Sequence, residues 1–122
     1  MKKSFFLSCM IFLTLGSCRQ FDNHIDIAYN DSDHFFSMKA HFPRDKTRRV
    51  EECMDNYIRG ESNSSFVNTR IDGHLSLNDH TQFYIRKYPG FLQIKLDKTE
   101  NSYDSYAKIK SMCEKLKNII TN

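Results

Sequence analysis

The chain has 122 residues, room for one domain and not for two. Its 18 Lys and Arg stand against 15 Asp and Glu, a formal charge of +3, but Lys2 and Lys3 at the extreme N-terminus supply two of those charges and the rest of the chain is near +1. That balance lacks the basic footprint of nucleic-acid binding, and no nucleic-acid partner is expected.

Lys2 and Lys3 form a positive start, Ser4 to Leu15 an apolar run, and Leu15-Gly16-Ser17-Cys18 closes the run with small residues and a cysteine. A membrane-spanning helix needs about 20 apolar residues. This run is shorter and has the length of a secretory h-region. The stretch resembles a bacterial lipoprotein signal peptide with its lipobox, a resemblance that covers residues 1–18 only. It implies that residues 1–17 are removed and that Cys18 becomes the first mature residue and carries acyl chains. Each buried methylene contributes roughly 0.8 kcal/mol and a single chain holds only marginally, so stable anchoring requires more than one. Arg19 stands where an Asp would favour inner-membrane retention in the enterobacterial pattern. The implied address is therefore the cell envelope, with an outer-membrane lipoprotein facing either the periplasm or the cell surface. An ordinary cleaved signal is the alternative. Cys9 leaves with the signal, and Cys53 and Cys113 remain in an oxidising compartment where disulfides persist. One bridge between them is a candidate. The alternative is two small buried hydrophobes that never meet.

Residues 18–23 form the lipidated cysteine and a short tether, and residues 24–122 form the single domain. His24 to Tyr29 alternates Ile25, Ile27 and Tyr29 on one face and reads as a strand. Asn30 to Asp33 is a turn by composition. His34 to Phe42 is a second strand, with Phe36, Met38, Ala40 and Phe42 on one side and Phe35, Ser37, Lys39 and His41 on the other. Pro43 stops it, and Asp45 is the expected N-cap of a helix over residues 46–59. Val50, Cys53, Met54, Tyr57 and Ile58 make its apolar stripe, with Glu51 and Glu52 flanking it and facing water, and Gly60 ends it. After a polar loop, Phe66 to Leu77 keeps one parity through Val67, Thr69, Ile71, Leu75 and Leu77, which predicts a single strand bulged or kinked at Gly73. Asn78 to His80 is a turn. Thr81 to Tyr88 then places Phe83 and Ile85 inward and Tyr84, Arg86 and Tyr88 outward. Pro89-Gly90 fits a type II turn, and Phe91 to Leu96 places Leu92, Ile94 and Leu96 inward. Ser102 or Asn101 caps a last helix to about Ile120, striped by Tyr106, Ile109, Met112, Cys113, Leu116, Ile119 and Ile120.

The order β-β-α-β-β-β-α predicts an α+β domain, an antiparallel sheet of about five strands with both helices packed on one face. Nothing in it identifies a reaction. His24, His34, His41, His74 and His80 have no ligand spacing, and the Asn30–Asp33 turn lacks the glycine and distal glutamate of a calcium loop. There is no GxSxG elbow and no phosphate-cradling loop. The reading therefore assigns no catalytic residue, no metal and no cofactor. The one unusual feature is the sheet's solvent side, where Phe35, Tyr84, Tyr88 and Phe91 interleave with Lys39, Arg86, Gln93 and Lys95. Aromatics with Arg are favoured at protein-interface hot spots, so Phe35, Tyr84, Arg86, Tyr88 and Phe91 are the candidate partner-binding residues. Cross-strand pairing that only stabilises the sheet, or cover of the face by the tether or a loop, is the competing reading. The expected function is a small lipid-anchored envelope protein, non-enzymatic, that binds an unknown protein through an open sheet face. An immunity or inhibitor protein of the envelope is a variant, and a minor enzyme or small-ligand carrier the alternative. Cys18→Ala should abolish incorporation of a fatty-acid analogue and release the protein from the membrane fraction. Persistent labelling of that variant would contradict the lipobox.

Overall fold

The structure, a computed structural model, describes residues 24–58 and 65–122. The expected signal segment, Cys18 and the expected tether lie outside the described residues, as does Gly60, the expected helix stop. Strands β1 (Asp26–Asp31), β2 (Phe35–His41), β3 (Ile71–Ser76), β4 (Gln82–Tyr88) and β5 (Phe91–Asp97) form one sheet in the order β1-β2-β5-β4-β3, with every neighbouring pair antiparallel. Helices α1 (Thr47–Ile58) and α2 (Tyr103–Thr121) bury their stripes on one face of it. The expected α+β architecture is the one found.

The sheet alternates as its sequence does. Phe36, Met38 and Ala40 of β2, Phe83 and Ile85 of β4, and Leu92, Ile94 and Leu96 of β5 point inward and are buried. Val50, Cys53, Met54 and Ile58 of α1 and Ile109, Met112, Cys113, Leu116 and Ile120 of α2 meet them. Each such large apolar side chain contributes roughly 1.5–3 kcal/mol when taken out of water. On β1 the inward residues are Ile27, Tyr29 and Asp31. The Tyr29 hydroxyl donates to the Cys113 carbonyl at 2.8 Å. The Asp31 carboxylate is held well below the usual carboxylate range by hydrogen bonds from Lys98 and then Tyr106 and Lys110. The edge strand is thus riveted to α2 by its inner side chains.

Several local expectations give way to longer-range contacts. The first strand starts at Asp26 and runs on to Asp31, leaving His24 and Ile25 outside it. Asp45 does not cap α1. It lies in a 3-10 turn over Arg44–Lys46, led by Pro43, whose carbonyl accepts the Lys46 amide at 3.0 Å. Lys46 Nζ reaches the terminal carbonyls of Ile120 (2.6 Å) and Asn122 (2.9 Å), acceptors that a helix end leaves unpaired. Gly90, at φ +84°, forms the expected turn after Pro89. Its amide donates to Thr47 Oγ1 and its carbonyl accepts the Phe42 amide. A Cβ there would lie 3.0 Å from the Phe42 carbonyl oxygen, so both φ and space demand glycine. Ser102 caps α2 through the Ser105 amide, while Asn101 brackets the Gln82 backbone with its side-chain amide.

The segment expected as one strand over 66–77 is a strand only over Ile71–Ser76. Gly73 opposes Ile85 in an unbroken ladder, with no bulge. Residues 66–70 leave the sheet because α1 offers their backbone better partners. Asp55 Oδ1 accepts the Phe66 amide at 2.7 Å, and Glu51 Oε1 accepts the amide of Asn68, which sits at φ +60°. Glu51 therefore faces inward, against the expectation that it meets water; Glu52 alone is exposed. The reason is Lys87, which shares the inward parity of Phe83 and Ile85. Lys87 is 3% exposed and Glu51 5%. The lysine ammonium contacts the Glu51 carboxylate and the Thr69 carbonyl directly. Removing one partner of such a pair leaves a buried charge uncompensated, whereas replacing both with apolar groups is often neutral. Lys87→Met or Glu51→Gln alone should cost about 3–5 kcal/mol, and Glu51→Leu with Lys87→Met should recover most of it. Urea unfolding of the three variants measures this. Additive losses in the double variant would show that the two charges do not act as a pair.

Candidate functional site

With both helices on the inner face, the outer face is built from strand residues of the opposite parity, and the register lines them up in rows. The first row, at the end where β1 begins, is Asp26, His41, Phe91 and Tyr88. The next runs Ala28, Lys39, Gln93, Arg86 and Asp72, and the third Asn30, Ser37, Lys95, Tyr84 and His74. The far end carries Phe35 opposite Asp97 and Gln82 opposite Ser76.

The five candidate residues fall into two groups. Arg86, Tyr88 and Phe91 come together at the Pro89-Gly90 end. Tyr88 and Phe91 stack with centroids 4.8 Å apart and planes at 15°, and the Arg86 guanidinium lies 5.9 and 5.8 Å from the two ring centres. His41 meets Phe91 edge-on at 4.9 Å. Phe91 is consequently only 4% exposed, which corrects the expectation of an open aromatic there. Its neighbours on β2 and β4 cover it, and the β2–β5 pairing that brings His41 in joins strands far apart in sequence. Tyr88 is its lid and so carries a structural share.

Phe35 and Tyr84 line a concavity of about 580 Å³ toward the far end, with His74, Gln93, Lys95 and Asp97 among its walls. Phe35 is 39% exposed, and Lys95 Nζ lies 4.8 Å from its ring centre. The Tyr84 hydroxyl donates to Asp72 at 2.7 Å, and that bond to a carboxylate pushes its pKa up. Hydrogen bonds from the Thr99 side chain and backbone hold Asp97 below the usual carboxylate value. Both shifts fix the ordinary neutral-pH charge of their groups, so neither supplies a proton-transfer residue near pH 7. Among the described residues no group of three or more His, Cys, Asp or Glu could hold a metal ion. His74 and Asp97 were not among the candidates; strand parity alone would have added them.

Cys53 and Cys113 are both buried, as their stripe positions require, and both are free thiols rather than the candidate disulfide. They fill space as small apolar groups. Burial pushes both thiols up, Cys113 to about 12. No family model matches the chain, and no curated protein or solved structure matches it. In the protein denatured without reductant, Cys53 and Cys113 should both titrate as thiols, and in the native protein both should react far more slowly. A count of zero would restore the bridge.

Proposed function

We propose that this chain is a small lipid-anchored protein of the bacterial envelope that binds a partner protein, without catalysis, through the outer face of its sheet. The observation that carries this is the unclad outer face. Both helices are spent on the inner one, and no described element crosses the rows that run from Tyr88 and Phe91 to Phe35. A sheet face that needs only solubility is satisfied by short polar and charged residues. This one instead holds aromatic rings with Arg86 and Lys95 laid against them, the residue types that dominate binding energy when a partner excludes water. The lipidated end of the chain would enter beside Asp26, in the row of His41 and Phe91. The concavity walled by Phe35 and Asp97 then sits six residues along β2, about 20 Å from that end.

The concavity itself favours a second reading, a small-ligand carrier, because rings and convergent polar groups are what ligand sites use. An immunity or inhibitor protein is a form of the first reading. Arg86→Ala and Phe35→Ala, made in the intact lipidated protein, should each weaken capture of its envelope partner about 30-fold, the loss of a hot spot worth some 2 kcal/mol. Thermal unfolding should barely change, because both side chains are exposed. Tyr88→Ala should lower stability as well, since it uncovers Phe91. Unchanged capture in both exposed-residue variants would move the binding site off this face.

A further inference from the structure

The charges of the outer face are segregated. Lys39, Arg86 and Lys95 occupy its middle on three adjacent strands, around Gln93, and all three are exposed. None takes part in any of the ion pairs found among the described residues. Ring contacts hold two of them in place without neutralising them, Lys95 over Phe35 and Arg86 over Tyr88 and Phe91. The acids of the face stand on its margin. Asp26 is on edge strand β1 and Asp72 on edge strand β3, while Asp97 and Glu100 sit at the end of β5. The exposed Arg70, just ahead of β3, lines a shallow groove with Asp72, Arg86 and Tyr88 and is a cation on that margin. His41, His74, Tyr84 and Tyr88 are the face's other titratable side chains.

Resting on the partner-binding reading above, we infer that the partner is a folded protein whose contact surface has an acidic centre and a basic margin. Cations that make no ion pair within the chain must meet carboxylates at the middle of an interface, or they lose their hydration without return. The marginal acids exclude the other class of anionic partner. A uniform polyanion, whether a nucleic acid, a sulfated glycan or an anionic membrane, would gain at the centre and at Arg70 but be repelled at Asp26, Asp72 and the end of β5, with no net positive field to draw it in. A folded protein surface can reverse sign over short distances, and here the sign changes from Arg86 to Asp72 across one strand gap of about 5 Å. Mutually reversed patterns also fix the orientation of docking.

The test places a photo-crosslinking amino acid at Gln93 in the full lipidated protein, in intact envelopes. The adduct yield should fall about tenfold with Lys39→Glu or Lys95→Glu and comparably with Asp72→Lys or Asp26→Lys, and it should decline as salt rises. In parallel, the purified protein should pass through heparin at 0.15 M salt, and it should bind phosphatidylglycerol vesicles no better than phosphatidylcholine vesicles, since the acyl chains insert into both alike. An adduct indifferent to all four reversals overturns the charge pattern while leaving partner binding standing. Loss on Lys→Glu with gain on Asp→Lys, or heparin retention abolished by Lys95→Glu, assigns the centre to a polyanion and also overturns it. Absence of any adduct from Gln93 or Phe35 removes the partner-binding reading and this inference with it.

Discussion

Two amphipathic stripes have to leave water, and one face of a five-stranded sheet is wide enough to take both. Four gaps of about 4.8 Å span roughly 19 Å, the width of two helices packed some 10 Å apart. α1 and α2 fill that width, seated on Phe36, Met38, Ile85, Leu92, Ile94 and Leu96. Once they are placed, nothing in the described chain remains for the other side. The outer face must then satisfy itself with cross-strand stacking, ring-bound cations and a marginal frame of acids, or receive a cover from another molecule.

A second constraint closes the inner layer at its β3 edge. Lys87 enters the core at a position where alternation calls for an apolar residue, and Glu51 comes in from α1 to meet it. The same carboxylate binds the Asn68 amide, and the lysine binds the Thr69 carbonyl, so a single ion pair joins helix, strand and the 66–70 turn. Such a pair does little for net stability compared with an apolar replacement. Its effect is positional, since it fixes where the chain leaves α1 and enters β3.

Much of this was legible in the sequence, and the boundary of legibility has a physical shape. Period-two alternation is local, so the inward sets of β2, β4 and β5 could be read directly, as could the stripes of both helices, the Ser102 cap and the turn at Gly90. Features set by distant partners could not. Asp45 loses its capping role because Pro43 opens a 3-10 turn and Lys46 is drawn to the end of α2. Residues 66–70 carry strand parity yet leave the sheet for carboxylates on α1. Glu51 looks like a solvated flank until Lys87 is known to face it. At the candidate site, parity placed Phe35, Tyr84, Arg86, Tyr88 and Phe91 on one face correctly. Their division into a covered stack and an open concavity depends on β2 lying beside β5, a pairing with no local signature. Segregation of charge into centre and margin depends on that strand order too.

The central claim is that the outer face is the working surface in the envelope. Covalent lysine footprinting tests it most directly, by comparing intact envelopes with the purified protein. Lys39 and Lys95 stand on the outer face, and Lys115 and Lys117 on the exposed side of α2 serve as internal references. The account predicts that Lys39 and Lys95 are protected in envelopes and become reactive on purification, while the α2 lysines react equally in both. Equal reactivity of all four, or protection confined to α2, would contradict it.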